Sequence, residues 1–226
     1  MDIASAESIG LRVSENQSVS GLVLAPAKPR ACFVFAHGAG AGMAHSFMAS
    51  FALGLAERSV ATVRYQFPYM ESGSKRPDTP AVAHAAVRAA VADAGRRFRG
   101  LPLIAGGKSF GARMTSQAQA TDPLPGVIGL AFVGFPLHPA GKPSAQRAEH
   151  LAGVKIPMLF LQGTRDELAE LQLLAPVVEE LRPLSTLVLF DDADHSFHVR
   201  VRSGRTDAQV MVGMLDAFVE WTISLN

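Results

Sequence analysis

The run Gly107-Lys-Ser-Phe-Gly111 puts a serine at the apex of a short glycine-bounded turn, between an apolar stretch starting at Leu101 and a helix-forming stretch reaching Ala120. A serine held this way projects its hydroxyl above the sheet, because the flanking glycines carry no Cβ to collide with the neighbouring strand and helix. The helix starting behind it aims free N–H groups and the positive end of its dipole at any charge that develops there. With 20 glycines in 226 residues the pattern is not specific by itself, and a serine that merely caps a helix looks the same. Serine is a poor nucleophile at its own pKa, so Ser109 needs a base, and the base needs an orienting acid. Two later stretches offer them. The strand-like run from Ile156 ends in Gln-Gly-Thr-Arg-Asp166, a glycine turn with a carboxylate, and the run from Leu187 ends in Asp-Asp-Ala-Asp-His195, a loop with a histidine.

The elements that must position these groups follow from periodicity. Leu11 to Ala25 holds two short apolar stretches around Glu15-Asn-Gln-Ser18, which predicts an antiparallel hairpin at a sheet edge. Ala31 to Ala36 and Val60 to Tyr65 are continuous apolar runs of strand length, with helical spacing from Phe47 to Arg58 between them. Gln66 to Pro80 is rich in Pro, Gly, Ser and charge and predicts a surface loop, after which Pro80 opens an alanine-rich helix to Phe98. Strands over Val127–Phe135, Ile156–Leu161 and Thr186–Phe190 alternate with helices over Glu167–Leu181 and Asp207–Ile223, and Pro136 to Gly153 has room only for a short helix. Repeated β-α order implies a mostly parallel sheet with helices on both faces. In such sheets reactive groups gather beyond the carboxyl ends of the strands. His37, Arg64, Ser109, Pro136 to Lys142, Asp166 and His195 all fall there.

Residues 1–226 read as one α/β domain, since 48% hydrophobic and 18% charged residues supply a sizeable core. A net charge of +1, with both signs mixed along the chain, gives no reason to expect nucleic acid or a membrane surface as partner. The segment Met1 to Gly10 lacks the basic and apolar regions of a secretory leader, and no stretch has the length of a membrane span. The single Cys32, inside an apolar run, reads as a buried small residue and suits a reducing cytoplasm.

The order Ser, Asp, His, each member after its own strand, resembles that of the α/β-hydrolase superfamily. The resemblance extends over nearly the whole chain and is carried by HGAGAGM (37–43), RYQFPYME (64–71), GGKSFGAR (106–113), GFPLHPAGKP (134–143) and LQGTRDE (161–167). These blocks are similar to the small dienelactone-hydrolase-like enzymes, and within them to the testis-expressed-hydrolase-like branch. The resemblance implies an α/β-hydrolase fold, and the connection after Phe135 is too short for a substantial lid domain. It also implies Ser109 as nucleophile, His195 as general base and then acid, Asp166 as the orienting carboxylate, and the backbone N–H groups of Ala39 and Phe110 as the oxyanion hole. Dienelactone hydrolases proper have cysteine at the position of Ser109, and serine there favours an ordinary ester or related acyl compound.

Each of these residues has rivals or duller readings. Asp166 could cap a helix starting near Glu167, and Glu167 is a second candidate acid. His198 competes with His195, while Asp191, Asp192 and Asp194 read as solvated or turn-forming residues. His37 is expected to brace the loop after it, Arg113 to pair with a carboxylate, and Lys108 to face either the pocket or solvent. Arg64, Lys75, Arg76, His138 and Lys142 could make a pocket mouth cationic, though surface solubility explains them as well. Gly107-Lys-Ser109 matches the end of a phosphate-binding loop, but Pro102 stands where that motif needs glycine. The glycines after His37 fail the spacing of a dinucleotide site, and His195 with His198 lacks further metal ligands.

The sequence therefore predicts a cytoplasmic serine hydrolase of carboxylesterase type. It would cleave a small ester or thioester through an acyl-enzyme, with a small-molecule acyl substrate and neither cofactor nor metal. Acyl transfer or peptide cleavage would use the same residues. A non-catalytic binding or scaffold protein on the same fold is the alternative.

Overall fold

In the computed structural model, which describes residues 5–225, the chain opens with an antiparallel hairpin of β1 (Glu7–Ser14) and β2 (Gln17–Leu24). Alternation follows: β3 (Ala31–Ala36), α1 (Ser46–Glu57), β4 (Val60–Tyr65), α2 (Pro68–Glu71), α3 (Pro80–Arg97), β5 (Leu103–Lys108), α4 (Phe110–Thr121) and β6 (Val127–Val133). A 3-10 helix over Gln146–Gly153 leads to β7 (Met158–Gly163), α5 (Leu171–Glu180) and β8 (Ser185–Phe190), and α6 (Asp207–Ser224) closes the chain. Residues 1–4, part of the segment read as lacking a leader pattern, lie outside the described residues.

The sheet has eight strands in the order β1-β2-β4-β3-β5-β6-β7-β8. β2 joins β4 antiparallel, and β4, β3, β5, β6, β7 and β8 run parallel. All six residues of β3 are buried, because both faces of the sheet are covered. Period-2 alternation sorts them. Phe33 and Phe35 pack with Met48, Phe51 and Leu55 of α1 and Phe218 of α6, while Cys32, Val34 and Ala36 join the cluster holding the alanines of α3 and Ala112 and Met114 of α4. Each fully buried phenylalanine contributes roughly 1.5–3 kcal/mol.

Topology decides where a site can form. The chain leaves β3 through α1 on one face to reach β4, then crosses on the other face through α3 to β5, on the far side of β3. The strand order reverses between β3 and β5, and a crevice opens there beyond the strand ends. Ala36, the last residue of β3, lies beside Gly107 of β5. A Cβ on Gly111 would come within 2.6 Å of the Ala36 carbonyl oxygen, so only glycine lets α4 start this close to β3.

Two expectations need correction. Gln66 to Pro80 is not wholly a surface loop: Phe67 is fully buried, and Pro68–Glu71 coils into α2. Pro68 at the first helical position fixes φ for the turn, and the aromatic Phe67 and Tyr69 go inside despite their polar neighbours. The helix expected from Glu167 starts instead at Leu171, because Asp166 folds the intervening residues into a turn by accepting the N–H of Leu168 at 2.8 Å. Asp166 therefore does not cap that helix. The connection from β6 to β7 carries only the 3-10 helix, and no lid covers the strand ends among the described residues.

Candidate active site

Ser109 sits between β5 and α4 with φ 51° and ψ −113°, a left-handed conformation that a serine adopts only when its surroundings impose it. Its N–H is tied to the carbonyl of Val133 at the end of β6 (3.1 Å). Oγ lies 2.8 Å from Nε2 of His195, and Nδ1 of His195 lies 2.7 Å from Oδ2 of Asp166. An ionised carboxylate only accepts, so Nδ1 carries the ring hydrogen and Nε2 is left to accept from the serine hydroxyl.

Asp166 is buried, and both its oxygens accept further hydrogen bonds. Oδ1 takes the N–H of Leu168, and Oδ2 also accepts from Nε2 of Gln162, whose Oε1 in turn holds the N–H of Phe135 at 2.9 Å. Gln162 thus couples the acid to the loop after β6. Sequence reasoning passed over it, although a polar residue ending the apolar strand Met158–Gly163 was the available signal.

The loop after β3 is held from below. The N–H of Phe67 can only donate, so Nε2 of His37, 3.0 Å away, must accept. The ring hydrogen is then on Nδ1 and is donated to the carbonyl of Gly38 at 2.7 Å. In a trans peptide the carbonyl and N–H point opposite ways, so fixing Gly38 C=O fixes the direction of Ala39 N–H. Burial lowers the pKa of His37, which keeps this neutral tautomer. Tyr69 donates its hydroxyl to the carbonyl of Ala39 (2.8 Å), and Gln66 and Arg64 hold the N–H and carbonyl of Met43. The bracing role expected of His37 is thus present, with Phe67 and Tyr69 as partners that the loop reading of residues 66–80 had hidden. Among the described residues neither Ala39 N–H nor Phe110 N–H has an acceptor.

A cavity of about 390 Å³ opens over Ser109, between Ala39, Phe47, Met48, Leu168 and His195. Lys108 lines it too. Its side chain is half-buried against the pocket, and desolvation brings its pKa down to about 8 against the raising effect of Asp166 and Asp194. The proposed cationic mouth is not assembled. Arg64 is buried under the loop at Met43, His138 is buried against Leu168 and Pro139, Lys142 is exposed, and neither Lys75 nor Arg76 lines the cavity.

The rivals lie elsewhere. His198 is exposed and paired with Asp207 at 2.8 Å, and Glu167 is exposed. Asp191 is exposed, Asp192 pairs with Arg165 and Arg200, and Asp194 Oδ1 accepts from the N–H groups of Ser196 and His198. Arg113 has no carboxylate partner among the described residues, contrary to expectation. Its guanidinium lies 6.0 Å from the Phe110 ring centroid. A second serine–histidine contact, Ser116 Oγ to His150 Nε2 at 2.8 Å, has no carboxylate behind the ring among the described residues, and burial with Arg113 nearby brings His150 down to about 4. Among the described residues no cluster of three or more His, Cys, Asp or Glu could hold a metal, and no helix is long and apolar enough to cross a membrane.

Residues 29–223 match the family model described as an alpha/beta hydrolase domain. The fold is similar to that of dienelactone hydrolase from Anabaena variabilis ATCC 29413, at 18% identity and a TM-score of 0.78, covering 97% of both chains. It is also similar to an alpha-beta serine hydrolase homologue from Coxiella burnetii (17% identity, TM-score 0.74, 97% of this chain and 99% of that one). A third similar structure is XC6422 from Xanthomonas campestris, described as an a/b serine hydrolase without lid (21% identity, TM-score 0.73, 95% and 94%).

Proposed function

Because the chain belongs to this alpha/beta hydrolase family, we propose that it is a serine hydrolase that cleaves a small ester or thioester through an acyl-enzyme. The observation that carries the reading is the unbroken chain of hydrogen bonds from Ser109 through His195 to the buried Asp166. His195 Nε2 takes the hydroxyl proton as Ser109 Oγ bonds to the carbonyl carbon, and Asp166 stabilises the imidazolium that results. The carbonyl electron pair moves onto oxygen. The N–H groups of Ala39 and Phe110, free of other acceptors, serve as its donors, and losing one such donor typically costs about 2.7–4 kcal/mol of transition-state stabilisation.

As the tetrahedral species collapses, the bond to the leaving oxygen or sulfur breaks and His195 returns its proton to the leaving group. Water then repeats the sequence on the acyl-serine and frees the acid. None of these steps needs a cofactor. A cavity of about 390 Å³ with mostly small and apolar walls, over which no lid lies among the described residues, suits a small or exposed acyl group over a long lipid chain.

The test is labelling by a fluorophosphonate probe, with hydrolysis of p-nitrophenyl acetate measured alongside, on wild type, Ser109→Ala and His195→Ala. Labelling and turnover in the wild type that disappear in both variants support the reading. A folded wild type that neither labels nor turns over leaves a binding or scaffold protein.

A further inference from the structure

Lys108 immediately precedes Ser109, yet its side chain runs to the other side of the site. Nζ donates to the backbone carbonyl of His195 at 2.6 Å and lies 5.2 Å and 5.1 Å from the ring centroids of Phe47 and Phe197. Among the described residues that carbonyl has no other partner. The loop that carries His195 is tied down on either side of that residue: Asp192 N–H donates to Thr164 Oγ1, the carbonyls of Asp192 and Ala193 accept from Arg165, and Asp207 accepts from Val199 N–H and His198 Nδ1. Inside the loop Asp194 Oδ1 accepts from Ser196 and His198 N–H; at the His195 carbonyl itself the tie is Lys108. Asp192 and Phe197 have φ of 58° and 64°, so the loop is bent through conformations that ordinary side chains rarely adopt. The imidazole is fixed at its tip by Asp166 and Ser109, and the backbone behind it by Lys108.

We infer that Lys108 is a positioning residue: its ammonium ties the backbone of His195 to the turn that carries Ser109, so that one strand end holds both nucleophile and base. The inference rests on the reading of those two residues given above. A charge-assisted bond of 2.6 Å, backed by two aromatic faces, is the stronger kind of tether. Proximity of reacting groups is sensitive to sub-ångström errors, so a slack tether shows in turnover more than in binding. Asp166 and Asp194 support the ammonium electrostatically, and the rings of His195 and His45 line the same cavity. Burial brings the ammonium to about 8, so the charge assistance, present below that pH, is lost as pH rises through it.

The experiment compares wild type, Lys108→Met and Lys108→Arg by hydrogen exchange of residues 191–199 and by p-nitrophenyl acetate kinetics from pH 6 to 10. Methionine keeps length and apolar bulk but has no donor. The expected result is exchange and kcat both altered at least tenfold in Lys108→Met, faster and lower respectively, with KM within twofold. Arginine restores both and removes the decline in rate that the wild type shows above pH about 8. Unchanged exchange overturns the inference, and so does faster exchange with kcat within twofold of wild type. If the wild type does not react with fluorophosphonate, the hydrolase reading fails separately, and exchange alone decides whether Lys108 tethers the loop.

Discussion

At the residue scale, the tautomers of two histidines follow from what their neighbours can and cannot do. Asp166 accepts on both oxygens and leaves Nε2 of His195 facing Ser109, while the N–H of Phe67 forces His37 to donate from Nδ1 to Gly38. Asp166→Asn inverts the first arrangement, because an amide placed there meets the donors of His195 and Gln162 with a donor of its own. The expected outcome is a drop in kcat of about 10³–10⁴-fold with KM little changed. Steady-state kinetics on p-nitrophenyl acetate checks it, and a loss under tenfold would remove Asp166 from the orienting role.

At the element scale, the site depends on how near α4 comes to the end of β3. Gly111→Ala would place a Cβ 2.6 Å from the Ala36 carbonyl oxygen and 2.7 Å from its carbonyl carbon, so backbone must move. Overpacking of this kind costs about 1–3 kcal/mol, and the displaced helix takes Phe110 N–H and Ser109 with it. Both the urea midpoint and kcat should fall, and an unperturbed Gly111→Ala enzyme would contradict the close packing. α6 offers a contrast. Thr206 and Gln209 form a reciprocal capping box at its exposed start, and neither lines the cavity over Ser109. Thr206→Ala should cost about 1 kcal/mol of stability with kcat unchanged, read as a urea midpoint and a turnover number.

At the scale of the whole molecule, burial of titratable groups sets how stability varies with pH. Burial lowers His37, His84 and His150, the last to about 4. Between there and the ordinary histidine value near 6.5 the unfolded chain binds more protons than the folded one, so stability falls as pH drops through that window. The exposed His198, raised by Asp207, works in the opposite direction and is screened by solvent. The urea midpoint should decline from pH 7 to pH 4.5, and a flat profile would show that these rings titrate normally. Cys32 is fully buried in β3, and burial pushes its thiol upward. A thiol reagent should leave native protein unmodified and its activity intact, reacting only as the fold opens. Rapid modification of native Cys32 would count against this packing.

The sequence by itself determined the strands, because a run such as Ala31–Ala36 or Val60–Tyr65 is apolar at every position and can only be buried between layers; both were expected at the bounds observed. It also marked where Ser109, Asp166 and His195 stand, each just past a strand. Periodicity reports which side of an element is apolar and is silent on which distant polar group lies opposite. Only the tertiary structure, by reversing strand order between β3 and β5, decided that the His37 loop and the Ser109 turn share one crevice. Only it decided that Gln162 backs Asp166, that Phe67 and Tyr69 go inside, that Arg113 meets an aromatic ring in place of a carboxylate, and that Lys108 turns inward to His195. Lys108 reaches His195 from 87 positions away, and Gln162, which backs Asp166, also holds Phe135 from 27 positions away. These contacts exist because burial favours pairing polar groups with whatever partner the packed strand ends bring within reach, which no local pattern of residues reports.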